Sequence, residues 1–128
     1  MNHLLHWGQQ WLNSQLKQHA SRTVDYKRGA SSITVQATIG RTLLKLDDGY
    51  GGIQMQWTDR DYLIAAADLV LDGLPTLPQR GDKIYETQNG LTYVYEVLAP
   101  GQEPVWKWSD LYRSLFRIHT KQTGKVEL

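Results

Sequence analysis

The sequence predicts a mainly β protein: a small antiparallel β-barrel or sandwich carrying one amphipathic α-helix at its N-terminus. Three observations lead there. Short segments with an apolar residue at every second position recur along the chain. Clusters of Gly, Asn, Asp and Pro separate them every several residues, as in barrels and sandwiches. Residues 4–19 alone follow a helical period, with apolar positions separated by three, four and seven.

At 128 residues and 14.7 kDa, with 41% hydrophobic and 21% charged residues, the chain suits one globular domain. The expected organisation is an N-terminal helical segment over 1–21, a β-barrel domain over 22–121 and a mobile C-terminal tail over 122–128.

In the helix, Leu4, Leu5, Trp7, Trp11, Leu12 and Leu16 share one side. Gln9, Gln10, Asn13, Gln15, Lys17 and Gln18 occupy the other, and Asn2 is a plausible cap. The apolar side either packs on the domain or docks on a neighbouring subunit, where aromatic anchors are favoured.

Period two begins after Ser21–Arg22. Val24 and Tyr26 alternate, Gly29 turns the chain, and Ile33, Val35, Ala37 and Ile39 continue one face, which reads as a hairpin. Thr42–Leu46 and Ile53–Trp57 form a second hairpin around the flexible Asp47–Gly52 turn. Tyr62–Leu71 is more continuously apolar, and its Ala65–Asp68 centre suits a strand end followed by a short helical turn. Pro75 and Pro78 lack an N–H donor, so a loop is expected there. Lys83–Thr87 and Thr92–Leu98 flank Asn89–Gly90, the sharpest hairpin signal in the chain. After the Ala99–Pro104 loop, Trp106 and Trp108 alternate, and Tyr112, Ser114, Phe116 and Ile118 are expected on one strand face.

The absence of Cys excludes disulfides, thiolate metal sites and thiol nucleophiles. No apolar run approaches the roughly 20 residues that span a bilayer, and no secretion-signal pattern opens the chain, so a soluble, cytosolic protein without membrane contact is expected. His3 and His6 lie three apart without an acidic neighbour, while His19 and His119 are distant; no metal site is expected. Asp47–Asp48 and the Asp59/Asp61 pair sit in turn settings that favour solvated carboxylates over acid–base catalysis. No Ser lies in a nucleophile elbow, and Gly49–Gly52 lacks the Lys–Ser/Thr of a phosphate loop. The reading is therefore of no enzyme and no cofactor.

Trp106, Lys107, Trp108, Tyr112, Arg113 and Arg117 combine aromatic rings with cations, the pairing that stacks bases and contacts phosphates. Alternating Trp residues equally suit a barrel core or a subunit interface. Charge is unevenly spread: Lys/Arg against Asp/Glu number four to one over 1–30, five to ten over 31–104, and five to two over 105–128. The resulting +3, −5 and +3 either create two surfaces of opposite sign or cancel when folding brings the ends beside the middle.

The runs Ala66–Ala67–Asp68–Leu69, Pro78–Gln79–Arg80–Gly81–Asp82–Lys83–Ile84 and Tyr93–Val94–Tyr95–Glu96–Val97 resemble those of tailed-phage neck proteins. Pro104–Asp110, Tyr112–Arg113 and Arg117–Lys121 extend the likeness to small prophage-encoded head–tail joining or head-completion (stopper) proteins, over roughly 22–121. The resemblance implies a structural virion protein, assembled in the host cytoplasm, that forms a ring, most often a hexamer, in the head–tail neck. Its implied partners are copies of itself, a portal or adaptor protein, a tail terminator or tail tube protein, and passing double-stranded DNA touched without specificity.

On that reading the interface candidates are Trp7, Trp11, Leu12, Trp106, Trp108 and Tyr112. The channel-loop candidates are Asp47, Asp48 and Tyr50 in the acidic, Gly-rich turn, and Leu74, Pro75 and Leu77 in the Pro-braced loop. Acids facing a channel repel phosphate and favour DNA transit over attachment. The alternatives are a tail-terminator or adaptor ring of the same neck, or a small barrel binding single-stranded nucleic acid through Trp106, Trp108 and Tyr112.

Overall fold

A computed structural model describes residues 21–47, 49–57, 60–101 and 103–127. The expected helix over 4–19 lies outside the described residues. The first strand, β1 (Ser21–Arg28), turns through Gly29–Ala30 into β2 (Ser31–Gly40). Their alternation drives the pairing: Val24 and Tyr26 on β1 and Val35 and Ala37 on β2 are buried, while Gln36 and Thr23 hydrogen bond at 2.7 Å outside.

β3 (Leu43–Asp47) and β4 (Ile53–Trp57) form a separate two-stranded hairpin. β5 (Arg60–Ala65) returns along β2 and ends in a 3-10 turn at Ala66–Asp68, as the apolar run predicts. β6 (Val70–Leu71) and β7 (Leu74–Pro75) make a two-residue ladder where only a loop was expected. Its Asp72–Gly73 turn, with φ of 54° and 79°, carries the same chemistry as Asn89–Gly90, with φ of 52° and 80°. The latter joins β8 (Lys83–Gln88) to β9 (Leu91–Val97). β10 (Trp106–Trp108) then pairs with the start of β11 (Leu115–Glu127).

β11 closes the sheet. Its first half pairs with β5 and its second with β9, and Thr120 lies opposite both Arg60 and Val97. The cycle β11–β5–β2–β1–β8–β9 is a six-stranded antiparallel barrel, so none of its strands is left as a bare edge. Residues 122–127, expected as a mobile tail, are instead half of the longest strand, because their backbone completes the ladder with β9. An extra residue at Thr123 bulges that ladder between the Gln122 and Gly124 pairs. Tyr112 and Ser114 do not share the Phe116 strand face; they lie in the turn before Leu115.

Val24, Tyr26, Val35, Ala37, Tyr62, Ile64, Ile84, Tyr95, Val97, Phe116 and Ile118 fill the barrel, with Leu69 and Leu71 packed onto the same core. Each large side chain buried there stabilises the fold by roughly 1.5–3 kcal/mol. The register defines two rims. One carries Ser21, Gly40, Arg60 and the Asn89–Gly90 turn, and β3–β4 springs from it. The far rim carries the Gly29–Ala30 turn, Ala65, Lys83 and Leu115, and β6–β7 springs from that one.

Candidate interaction surfaces

Three buried carboxylates brace the barrel. Asp82, at the far rim, accepts the buried Tyr26 hydroxyl, the Arg28 Nε and Nη2 atoms at 2.8 Å each, and the Gln79 backbone N–H at 2.9 Å. Arg28 Nη2 also donates to the Leu77 carbonyl at 2.7 Å. Arg28 thus ties the segment after β7 to the barrel wall. Burial, reinforced by Asp82, pushes the Tyr26 hydroxyl well above the ordinary phenol range. The Pro78–Ile84 motif has its physical meaning here: Pro78, Asp82 and Ile84 are buried, and Asp82 locks the turn that feeds β8.

Glu86 plugs the opposite rim. It accepts Tyr62 Oη and Arg60 Nη1 at 2.8 Å each, Arg22 Nη1 at 3.1 Å, and the Gln88 amide. Burial favours its neutral acid, but the Tyr62 and Arg60 bonds overcome this and hold the carboxyl below its usual range. Asp61 sits on the outer face of β5, bonded by the Thr42 hydroxyl, by Arg117 Nη1 at 3.0 Å, and at 2.9 Å from His119 Nδ1. Arg117 reaches it across Gly40, where a Cβ would stand 3.2 Å from the guanidinium.

These networks settle the charge alternatives in part. Arg22 and Arg28 of the first segment and Arg117 of the last neutralise Glu86, Asp82 and Asp61 of the middle. Three of the ten middle acids are therefore consumed inside the fold, and the negative surface is smaller than the linear count implies. Asp61, expected as a solvated turn carboxylate, is fully buried because three donors replace its water.

Trp106 and Trp108 are half-buried. They meet edge to face at 5.1 Å, and Phe116 contacts them at 4.8 and 5.0 Å. The rings extend the core while each leaves part of its surface exposed. Tyr112 stays 48% exposed. Trp7, Trp11, Leu12 and Asp48 lie outside the described residues. Asp47 ends β3 opposite Ile53, and Tyr50 is exposed at the tip of that hairpin.

Leu74, Pro75 and Leu77 do come together. Leu74 and Leu77 are 67% and 56% exposed, and with Pro75 they line an open cleft of about 430 Å³ against Arg28 and Ser31. Leu111 was not singled out by sequence, yet it is 98% exposed in the turn between β10 and β11. Its signal is slight: a leucine inside the polar run Ser109–Ser114. The protein thus shows water a closed barrel with apolar projections at both rims.

No match is found among curated proteins or among solved structures. A family model described as phage head-tail joining protein matches residues 2–127.

Proposed function

Since the chain belongs to the phage head-tail joining proteins, we propose that it is a ring subunit of the virion neck, in the head-completion or stopper layer between the portal–adaptor assembly and the tail. The observation that supports this is the closed barrel with apolar projections at opposite rims: the β3–β4 hairpin bearing Tyr50 at one, and the β6–β7 lobe with the Leu111 turn at the other. A closed sheet resists strand addition, so contacts with neighbours fall to these projections. Two layers of neighbours, head side and tail side, need two such faces.

In this reading the role is assembly rather than catalysis. DNA passes through the ring with only non-specific contact, because the aromatic cluster at Trp106 and Trp108 is engaged with Phe116. Either projecting hairpin, Asp47–Gly52 or Leu74–Leu77, narrows the channel.

The test is removal and complementation. Without this protein, the phage that encodes it is expected to accumulate DNA-filled heads and unattached tails, and added full-length protein is expected to restore joined virions. Normal joining in its absence would refute the proposal, and electron microscopy of restored necks distinguishes a stopper from a terminator or adaptor position.

A further inference from the structure

The far rim holds an apolar knob and an apolar cleft. The knob is the turn between β10 and β11. The Asp110 carboxylate accepts the Ser114 and Leu115 backbone N–H groups at 2.8 and 3.0 Å and the Ser114 hydroxyl, while Arg113 N–H donates to the Asp110 carbonyl at 3.3 Å. Arg113 takes the left-handed conformation, with φ of 55°, that this turn requires. Leu111 is therefore held away from the barrel with 98% of its surface in water. A preorganised leucine in water forfeits its burial until something covers it.

The cleft lies between the β1–β2 turn and the β6–β7 lobe, and its apolar wall is Leu71, Leu74, Pro75 and Leu77. Asp72 stands at its lip, where it accepts the Ser31 hydroxyl. Each half carries both signs, but Asp110 is engaged by its own turn and Arg28 by Asp82, which leaves Arg113 at the knob and Asp72 at the cleft as the exposed charges.

Their placement matters as much as their chemistry. In the barrel cycle, two strands separate β11 from β1 in either direction, so a feature at the start of β11 and one at the end of β1 lie on opposite flanks of the same rim. On opposite flanks, knob and cleft can engage two different neighbours at once. A copy that gives its knob to one neighbour and its cleft to another is in the head-to-tail arrangement that closes into rings.

Resting on the neck-ring reading above, we infer that Leu111 and Tyr112 of one copy seat in the Leu74–Leu77 cleft of the next, with Arg113 paired to Asp72 across the contact. The occupant is a second copy of this chain. Both halves are exposed, ordered and complementary in charge, and both belong to one rim.

The absence of native cysteine allows a direct test. Full-length chains carrying Leu111→Cys and Leu77→Cys together are built into joined particles, oxidised, and run without reductant. A ladder of multimers from the double variant, absent from either single variant, is the expected result. Leu111→Asp, at a position with almost no folded contacts to lose, is expected to keep the wild-type melting temperature and reduce joined particles at least about tenfold. Incorporation of the double variant without a ladder would overturn the contact while leaving the joining role intact. Loss of joining by Leu111→Asp with no ladder from the pair would assign the knob to a different neck protein and also overturn it. Absence of the wild-type chain from joined particles would remove the joining role itself, and the contact with it.

Discussion

His119 Nδ1 lies 2.9 Å from Asp61 Oδ1, with both side chains fully buried on the outer face of the β5–β11 pairing. Burial alone raises a carboxyl pKa, but the bonds from His119, Thr42 and Arg117 hold Asp61 down to about 2. A carboxylate depressed in the folded state stabilises the fold above its unfolded pKa of roughly 3.9 and loses that contribution as pH falls through its folded value. Asp61→Asn is therefore expected to cost about 2–4 kcal/mol at pH 7. The gap between wild type and variant closes between about pH 4 and pH 2, and urea unfolding at a series of pH values measures it. A gap that persists unchanged at pH 2 contradicts the assignment of the charge to Asp61.

Tyr26 and Tyr62 serve carboxylates at opposite rims, Asp82 and Glu86. Each Tyr→Phe change leaves its carboxylate one donor short but still bound to arginine, a loss of about 1–2 kcal/mol. Because the two networks share no member, the double variant is expected to lose the sum within about 0.5 kcal/mol. Tyr62→Phe with Arg60→Ala, both on Glu86, is expected to depart from additivity by more than that. Equilibrium unfolding of the three single and two double variants decides it.

Trp106 packs at 4.8 Å against Phe116, which is itself buried. Trp106→Ala is expected to destabilise the domain by roughly 2–3 kcal/mol, through lost burial and lost ring contacts. Any loss of joining should then track the fraction unfolded and recover on cooling. A joining defect in a variant with an unchanged melting temperature would instead assign Trp106 a docking role.

Alternation made β1, β2, β8 and β9 legible, because Val24, Tyr26, Ile84 and Val97 announce a buried face by their own hydrophobicity. Asn89–Gly90 announced its turn for the same local reason. The second half of β11 carried no such mark. Lys121, Thr123 and Lys125 are exposed, and the strand exists because β9 needs a partner, a fact about the closed barrel rather than about those residues. The partners of Asp61, Asp82 and Glu86 were equally hidden, since Arg117, Arg28 and Arg22 lie 56, 54 and 64 positions away in the chain. Asp72–Gly73 carries the same local turn signal, but the two prolines nearby make a loop the simpler expectation.

Asp110 organises the turn that displays Leu111, and its carboxyl sits below the ordinary range because the bonds from Ser114 and Leu115 outweigh the desolvation that opposes them. Asp110→Ala removes three acceptor contacts at a largely solvated site, so the cost to global stability is expected to be small, about 1 kcal/mol. The local cost is larger in kind. The Ser114 and Leu115 amides lose their side-chain acceptor, and their hydrogen exchange should accelerate while that of the Val24 and Ile84 amides, deep in the barrel, changes only with global stability. The same uncoupling is expected in the wild-type protein only in stronger acid than an ordinary aspartate needs, because the bonds that hold the carboxyl below its usual range delay its protonation. Exchange measured by mass spectrometry on peptides covering 109–116 would detect both effects. Unaltered protection of Ser114 and Leu115 in the alanine variant would mean that the turn holds its shape without the carboxylate.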